Sequence, residues 1–510
     1  MIQLDEKTEI ILGNVTCKIK NAPKYIHGKI STELSVKAPN YWFSPSYKSG
    51  MWDGNFRFYQ RPANTFPTGL INKVIKILKK NNIEYFITDT RHNINKYKLK
   101  EIPQNYNISE HKIARDYQVQ SINNIIKNNI DGLQFNRGII NIATNGGKTS
   151  IAIALIKELY PKLKKHNEVF LFVTHSKEIA IQAKSSIETD LGISVGFIGD
   201  GAWELDNVTV CLISTLNRRT KKPEFKELIP RVIGFVADEC HHSSATTWYD
   251  TFNLLENASI RIGLTGTVEQ KNLVNEMRIY ACTGDILSKI SNDFLIKEGY
   301  SAKPICVLTY INKPRLNVKN YQEVYRLGII NNNFRLEIIK GICKIECKHN
   351  NTILILVEFV EHGELLLNNL NLPNKRIEFM HGALSTDTRA NILKDLKDNY
   401  IDILISTSVL DEGVDVSNIN SIIYARGGMS TRKLLQGIGR GLRKKADNST
   451  VRVYDFLDNT NKYLLKHSSE RLNTLVKENF ELIVTNSEKS ENISEVLDKI
   501  GKILEGDLSD

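Results

Sequence analysis

No stretch of the 510-residue chain is both long and apolar. The longest runs, such as Val169-Phe-Leu-Phe-Val173, are strand-sized, so no helix of about 20 apolar residues is expected to cross a membrane. Met1 to Lys7 shows no basic region followed by an apolar segment and a small-residue cleavage site, so no secretory signal is expected either. The seven cysteines, an odd number scattered from Cys17 to Cys347, form no disulfide framework and fit a reducing, cytoplasmic compartment. Cys343 and Cys347 are spaced as half a metal site, but no second ligand pair has suitable spacing. A paired-carboxylate-plus-lysine nuclease signature is missing, which weighs against the motor part of a restriction system. Net charge is missing too from most of the chain. Residues 1–100 hold 17 Lys+Arg against 7 Asp+Glu, so 17 − 7 = +10 of the total +11. A basic module on a nearly neutral body implies a polyanionic partner, most simply nucleic acid.

What is present is ordinary in bulk. The hydrophobic fraction of 41% and charged fraction of 25% are those of a globular protein, and the length calls for three or four units. Residues 1–100 read as a small, basic, separate α+β domain. Thr8 to Cys17 alternates as strands do, and Leu70 to Lys79 has apolar residues at helical spacing with lysines opposite. Tyr41 to Arg61 between them is dense in aromatics and includes Lys48, Arg57 and Arg61. The three cations are read as DNA contacts. Trp42, Trp52, Phe56 and Phe58 either stack bases or, as favoured here, fill a small core that needs large side chains. A polar linker, Lys96 to Asn107, follows.

From residue 101 to 285 short apolar strands alternate with helical patterns, as in a parallel sheet covered on both faces. Strands are expected at 138–143, 168–174, 208–214, 232–238 and 261–265. A second series covers 286–470, with strands at 352–358, 376–380, 401–407, 421–425 and 450–456. The tail, 471–510, is read as helical and polar, without chemistry.

One strand-loop-helix carries the strongest signal. Gly138 to Ala143 is apolar, Thr144-Asn-Gly-Gly147 is small and polar, and a helix opens at Lys148. This order aims backbone N–H groups and a positive helix end at one point, which suits a polyphosphate. Lys148 is placed for β/γ-phosphates and Thr149 for Mg²⁺. Ile142 stands where the usual loop has its first glycine, and Asn145 is a residue that tolerates positive φ. About ninety residues on, Asp238 and Glu239 end an apolar strand; Asp238 can hold Mg²⁺ through water and Glu239 can orient or deprotonate an attacking water. His241 and His242 are adjacent and would point to different faces, so a histidine metal site is not favoured.

Together, Thr144 to Thr149, Asp238-Glu-Cys-His241, Gly263-Leu-Thr-Gly-Thr267, Ile405 to Val416 and Gln436-Gly-Ile-Gly-Arg-Gly-Leu-Arg443 form an ordered set that resembles the superfamily 2 DNA helicases of the DExH type. The basic N-terminal module with Gly50-Met-Trp-Asp-Gly54 and Phe66-Pro-Thr-Gly69 is similar to that of bacteriophage recombination and branch-migration helicases of the UvsW type. The resemblance implies two tandem RecA-like parallel-sheet motor domains that use ATP and Mg²⁺. It also implies adenine recognition by Gln118 beside Arg115, nucleic-acid contacts by Thr174, Ser214, Thr215 and Thr407, and coupling by Thr265 and Thr267. Asp415 would face the nucleotide, while Gln436, Arg440 and Arg443 would close on it. The implied function is an ATP-dependent helicase or translocase acting on forked or junction DNA in phage recombination, repair or replication, in the host cytoplasm, as a monomer or weak oligomer. An RNA helicase, or a nucleotide-switched DNA-binding or annealing protein, stand as alternatives.

Overall fold

Thr8–Leu12 (β1) and Thr16–Lys20 (β2) alternate covered and uncovered residues, the period of strands with one face on a core. With Thr65–Pro67 (β3) and Tyr85–Asp89 (β4) they form a sheet of order β3-β2-β1-β4. Lys24–Glu33 (α1) and Ile71–Lys80 (α2) cover it, contributing Ile26, Ile30, Val74 and Leu78. The computed structural model describes residues 7–91, 97–240, 245–266, 272–407, 418–439, 450–486 and 493–505. The chain divides into two compact units, Met1–Ala143 with Gly147–Ile290, and Thr144–Gly146 with Ser291–Asp510. No helix among the described residues is long and apolar enough to cross a membrane.

The aromatic segment departs in part from the core reading. Phe58 is buried and Phe56 packs against the same core, but Trp42 is half exposed, and Phe43 and Met51 are more so. Asn40 turns the chain through a left-handed conformation (φ 55°) into a short 3₁₀ turn and a four-residue helix. The face that Trp42 was expected to cover is taken by α1 and α2.

The N-terminal sheet does not end at its own core. Met277 and Ala281, from the helix Leu273–Thr283, join its apolar cluster, and Asn72 donates to Asp285 at 2.8 Å. The buried Arg137 guanidinium donates to the carbonyls of Asn14 (2.9 Å), Cys282 (2.6 Å) and Thr283 (3.3 Å). Burial and the nearby Arg261 push it well below the usual arginine range. At Gly69 a Cβ would meet the Tyr280 carbonyl oxygen at 2.0 Å, so no larger residue fits.

The first large sheet contains the five expected strands, Arg137–Ile142 (β5), Val169–Thr174 (β6), Val208–Leu212 (β9), Val232–Asp238 (β10) and Ile260–Thr265 (β11). Three more complete it: Gly196–Gly199 (β7), Ala202–Glu204 (β8) and Ile286–Ile290 (β12). The order is β8-β7-β9-β6-β10-β11-β5-β12, parallel apart from the β7–β8 hairpin. β5, β6 and β10 bring their carboxyl ends to one edge.

The second large sheet is parallel throughout, β15-β16-β14-β17-β18-β13-β19. Its strands are Pro304–Ile311 (β13), Ile353–Leu356 (β14), Ile377–Met380 (β15), Ile403–Ser406 (β16), Ser421–Tyr424 (β17), Val451–Asp458 (β18) and Glu481–Val484 (β19). From β14 the chain moves outward to β15, returns to β16, then crosses to β17. The crevice between β14 and β17 is therefore this sheet's switch point. Arg335 pairs with Asp458, and Arg471 with Asp455 at 3.0 Å, all four buried. Removing one member of such a pair costs about 3–5 kcal/mol.

Candidate nucleotide site and strand-end contacts

β5 ends at Ile142 and the helix Lys148–His166 (α3) begins six residues on. The loop between them turns through two left-handed residues, Asn145 (φ 69°) and Gly147 (φ 78°). A Cβ at Gly147 would lie 2.3 Å from Gln118 Nε2. Gly147→Ala is expected to cost about 1–3 kcal/mol through the strained backbone, with further loss from the displaced carboxamide. Thermal melts with and without ATP would check this, and a smaller gain in melting temperature on adding ATP is expected for the variant.

Gln118 itself is buried, its Oε1 accepting the Arg115 N–H at 3.0 Å at the start of the helix Asp116–Lys127. The Arg115 side chain donates to the Tyr117 hydroxyl at 2.9 Å. Gln118 thus meets the phosphate loop at Gly147, with Arg115 hydrogen-bonded behind it.

β10 delivers Asp238 and Glu239 to the same edge. Glu239 takes a left-handed conformation (φ 49°), rare for a glutamate, and forms an ion pair with Lys148. Asp238 is buried, and its Oδ1 has no hydrogen-bond partner among the described residues. Burial first, and then the Glu239 charge, push its carboxyl up to about 6, while Lys148 and His175 pull it down. Two carboxylates facing one ammonium leave room for more positive charge. Oxygen donors of this kind suit Mg²⁺, which binds through one or two carboxylates plus phosphates. Thr149 follows Lys148 at the start of α3. A Cβ on Gly266 would lie 3.7 Å from Lys148 Nζ, so the segment after the buried Thr265 also borders the lysine.

Thr174 ends β6, level with Leu212 of β9, after which the helix Ile213–Arg218 carries Ser214 and Thr215. Ser214 is exposed; the Thr174 and Thr215 hydroxyls are buried without a partner among the described residues. Thr407 follows β16 and donates its N–H to Met380 O at 3.2 Å. In the N-terminal unit Lys48 and Arg61 are exposed, and Arg57 donates to Asp53 Oδ1 at 3.1 Å. Gln436 lies in the helix Thr431–Gly439 (α4), its side chain outside the described residues, as are His241, His242, Thr267, Asp415, Arg440 and Arg443. One residue escaped the sequence reading: Arg137, which lies just before the strand expected at 138–143. His175, beside Thr174, acts electrostatically on Asp238. All seven cysteines are buried thiols, and no cluster of three or more His, Cys, Asp or Glu among the described residues could hold a metal.

Residues 111–270 match the family described as type III restriction enzyme, res subunit, and residues 335–445 the helicase conserved C-terminal domain. The chain is a superfamily 2 helicase. As such it is an ATP-dependent enzyme. The helicase is 25% identical over 493 residues to the ATP-dependent DNA helicase uvsW of Enterobacteria phage T4, covering 88% of this chain and 93% of that one. It is 23% identical over 372 residues to the DNA 3'-5' translocase XPB2 of Sulfurisphaera tokodaii, covering 65% and 79%. A solved fragment of a putative HsdR subunit of a type I restriction enzyme from Vibrio vulnificus YJ016 superposes with TM-score 0.53 at 15% identity, covering 89% of the helicase and 82% of the fragment. The fold is α/β, two tandem RecA-like parallel-sheet domains preceded by the small basic α+β unit.

Proposed function

We propose that the helicase turns over ATP to unwind or branch-migrate forked and junction DNA, as a cytoplasmic monomer or weak oligomer. What supports this most is the basic N-terminal unit, rich in exposed aromatics, joined through Arg137 to the strand that leads into the phosphate loop. The basic N-terminal residues and the strand that leads into the phosphate loop then belong to one compact unit.

The Lys148–Glu239 ion pair defines the resting state. An entering triphosphate attracts Lys148 to its β/γ oxygens, and the pair opens. Glu239 then orients a water against the γ-phosphorus and accepts its proton. Thr149 and Asp238, the latter through water, would hold Mg²⁺, which neutralises phosphate charge when bound. Gln118, beside Arg115, reads adenine, and the loop Thr144–Gly147 donates N–H groups to phosphate. Asp415 faces the nucleotide. Gln436, Arg440 and Arg443 act on the transferring phosphoryl group, an arginine being able to bond two phosphate oxygens at once. Thr174, Ser214, Thr215 and Thr407 hold the DNA backbone, and Thr265 and Thr267 couple turnover to movement along it. The buried Thr174 and Thr215 hydroxyls reach DNA only after the segments around them shift.

The test compares ATP-driven strand separation on a fork, a four-way junction, an RNA–DNA hybrid loop and a plain overhang, with Lys148→Ala as the blank. Preference for the branched substrates supports the reading; equal action on the plain overhang overturns it. Because the N-terminal unit shares its core with Met277 and Ala281, deleting it would expose apolar surface. The cleaner variant is the triple Lys48→Ala, Arg57→Ala, Arg61→Ala. Each lost phosphate contact reduces the salt dependence of DNA affinity by about one in log–log slope. The triple variant is expected to flatten that slope by about two to three and to slow junction processing roughly tenfold or more. An unchanged slope removes these residues from the DNA contact.

A further inference from the structure

The crevice at the carboxyl ends of β14 and β17 has no part in the nucleotide chemistry above. Crevices at switch points are where open α/β sheets take ligands, and a cavity of about 400 Å³ opens here. Its walls are Tyr321, Tyr325, Phe359 and Met429, its rim Glu358 and Lys433. Phe359 is 50% exposed and Tyr321 37%, so these rings are not filling the sheet's core. Tyr325 meets Phe359 edge-on at 5.2 Å and Tyr321 at 6.2 Å.

The cavity is also held firmly. The Tyr325 hydroxyl accepts the Gly427 N–H at 3.0 Å, and buried Arg471 donates to Gly428 O at 2.8 Å. The segment Arg326–Ile330 beneath is a π-helix, a distortion frequent at functional sites. At the rim Lys433 donates to Glu358 at 2.5 Å, offering a donor and an acceptor to a planar polar edge. A wholly apolar ligand would instead strip water from that ion pair at a cost. The Val357 N–H donates to Ser406 O at 2.9 Å, so the turn carrying Glu358 and Phe359 lies one strand spacing, about 4.8 Å, from the turn carrying Thr407.

We propose that this crevice takes one unpaired base of the DNA strand that passes Thr407, stacked on Phe359 and Tyr321, with Glu358 and Lys433 meeting its edge. The proposal rests on the reading that Thr407 touches the DNA backbone. Aromatic faces stack any base, so the crevice adds grip without sequence preference. The stacked base is a fixed point against which the strand is held while the neighbouring backbone contact is remade.

The experiment uses the full chain with a non-hydrolysable ATP analogue and single-stranded oligonucleotides carrying 2-aminopurine at successive positions. Quenching is expected to peak at one register, to vanish in Phe359→Ala and to return in Phe359→Tyr. Single-strand affinity is expected to fall roughly tenfold in Phe359→Ala. Quenching that keeps the same register and depth in Phe359→Ala overturns the proposal. So does equal Phe359-dependent quenching of free 2-aminopurine riboside triphosphate, which would make the crevice a free-nucleotide site. Thr407→Ala, read by filter binding, tests the parent reading separately: unchanged affinity there sinks the backbone contact, whereas the Phe359-dependent quench reports on the crevice itself.

Discussion

Glu239→Gln is expected to lower ATP turnover by about 10²–10⁴-fold, the range for loss of a positioned general base, while nucleotide affinity is kept or improved. An amide preserves the shape of the side chain but cannot take a proton from water. It also releases Lys148 from the ion pair that the triphosphate must otherwise open. The substitution removes the charge that, after burial, does most to raise Asp238, so Asp238 stays more fully ionised. Single-turnover phosphate release measured beside titration of a fluorescent ATP analogue separates the two effects. A fall of less than about tenfold would mean that another group handles the water. Lost affinity would mean that the carboxylate helps to hold the triphosphate.

Arg440→Ala is expected to cost more, about 10³–10⁵ in turnover, the worth of a guanidinium at a transferring phosphoryl group. On the proposed role, nucleotide and DNA binding should change far less, because the charge Arg440 would meet develops in the transition state. Arg440→Lys should recover only a small part, since an ammonium cannot bond two oxygens in a plane. Quenched-flow phosphate release on saturating DNA is the measurement. Recovery to near the parent rate in the lysine variant would reduce Arg440 to a general positive charge.

The chemistry-bearing strands were legible because they are fully buried apolar runs ending in polar residues, as at Val169–Thr174 and Val232–Asp238. Edge strands were not. Gly196–Gly199 carries two glycines, Ala202–Glu204 has three residues, and Glu481–Val484 sits in what reads as a helical, polar tail. Each becomes a strand because a neighbour offers it a ladder, which a local pattern does not record. Pro304–Ile311 was missed for a different reason. It pairs with Val451–Asp458, nearly 150 residues later, a partner no window of sequence contains. In the candidate site, residue identities were legible and backbone conformations were not. Nothing local marks Glu239 as left-handed, nor links Gly147 to the carboxamide of Gln118. Trp42 shows the limit of composition: a small domain needs large apolar side chains, but helices can supply them and leave an indole half outside.

Arg137 has a consequence for how such a protein can diversify. Its guanidinium, at the first residue of the strand that runs to the phosphate loop, is spent on three main-chain carbonyls, one of them in the turn between β1 and β2. Grafting a different leading segment onto this motor would strand a buried cation short of one acceptor. New substrate preferences are therefore more easily reached by altering exposed residues of the existing segment than by exchanging it whole.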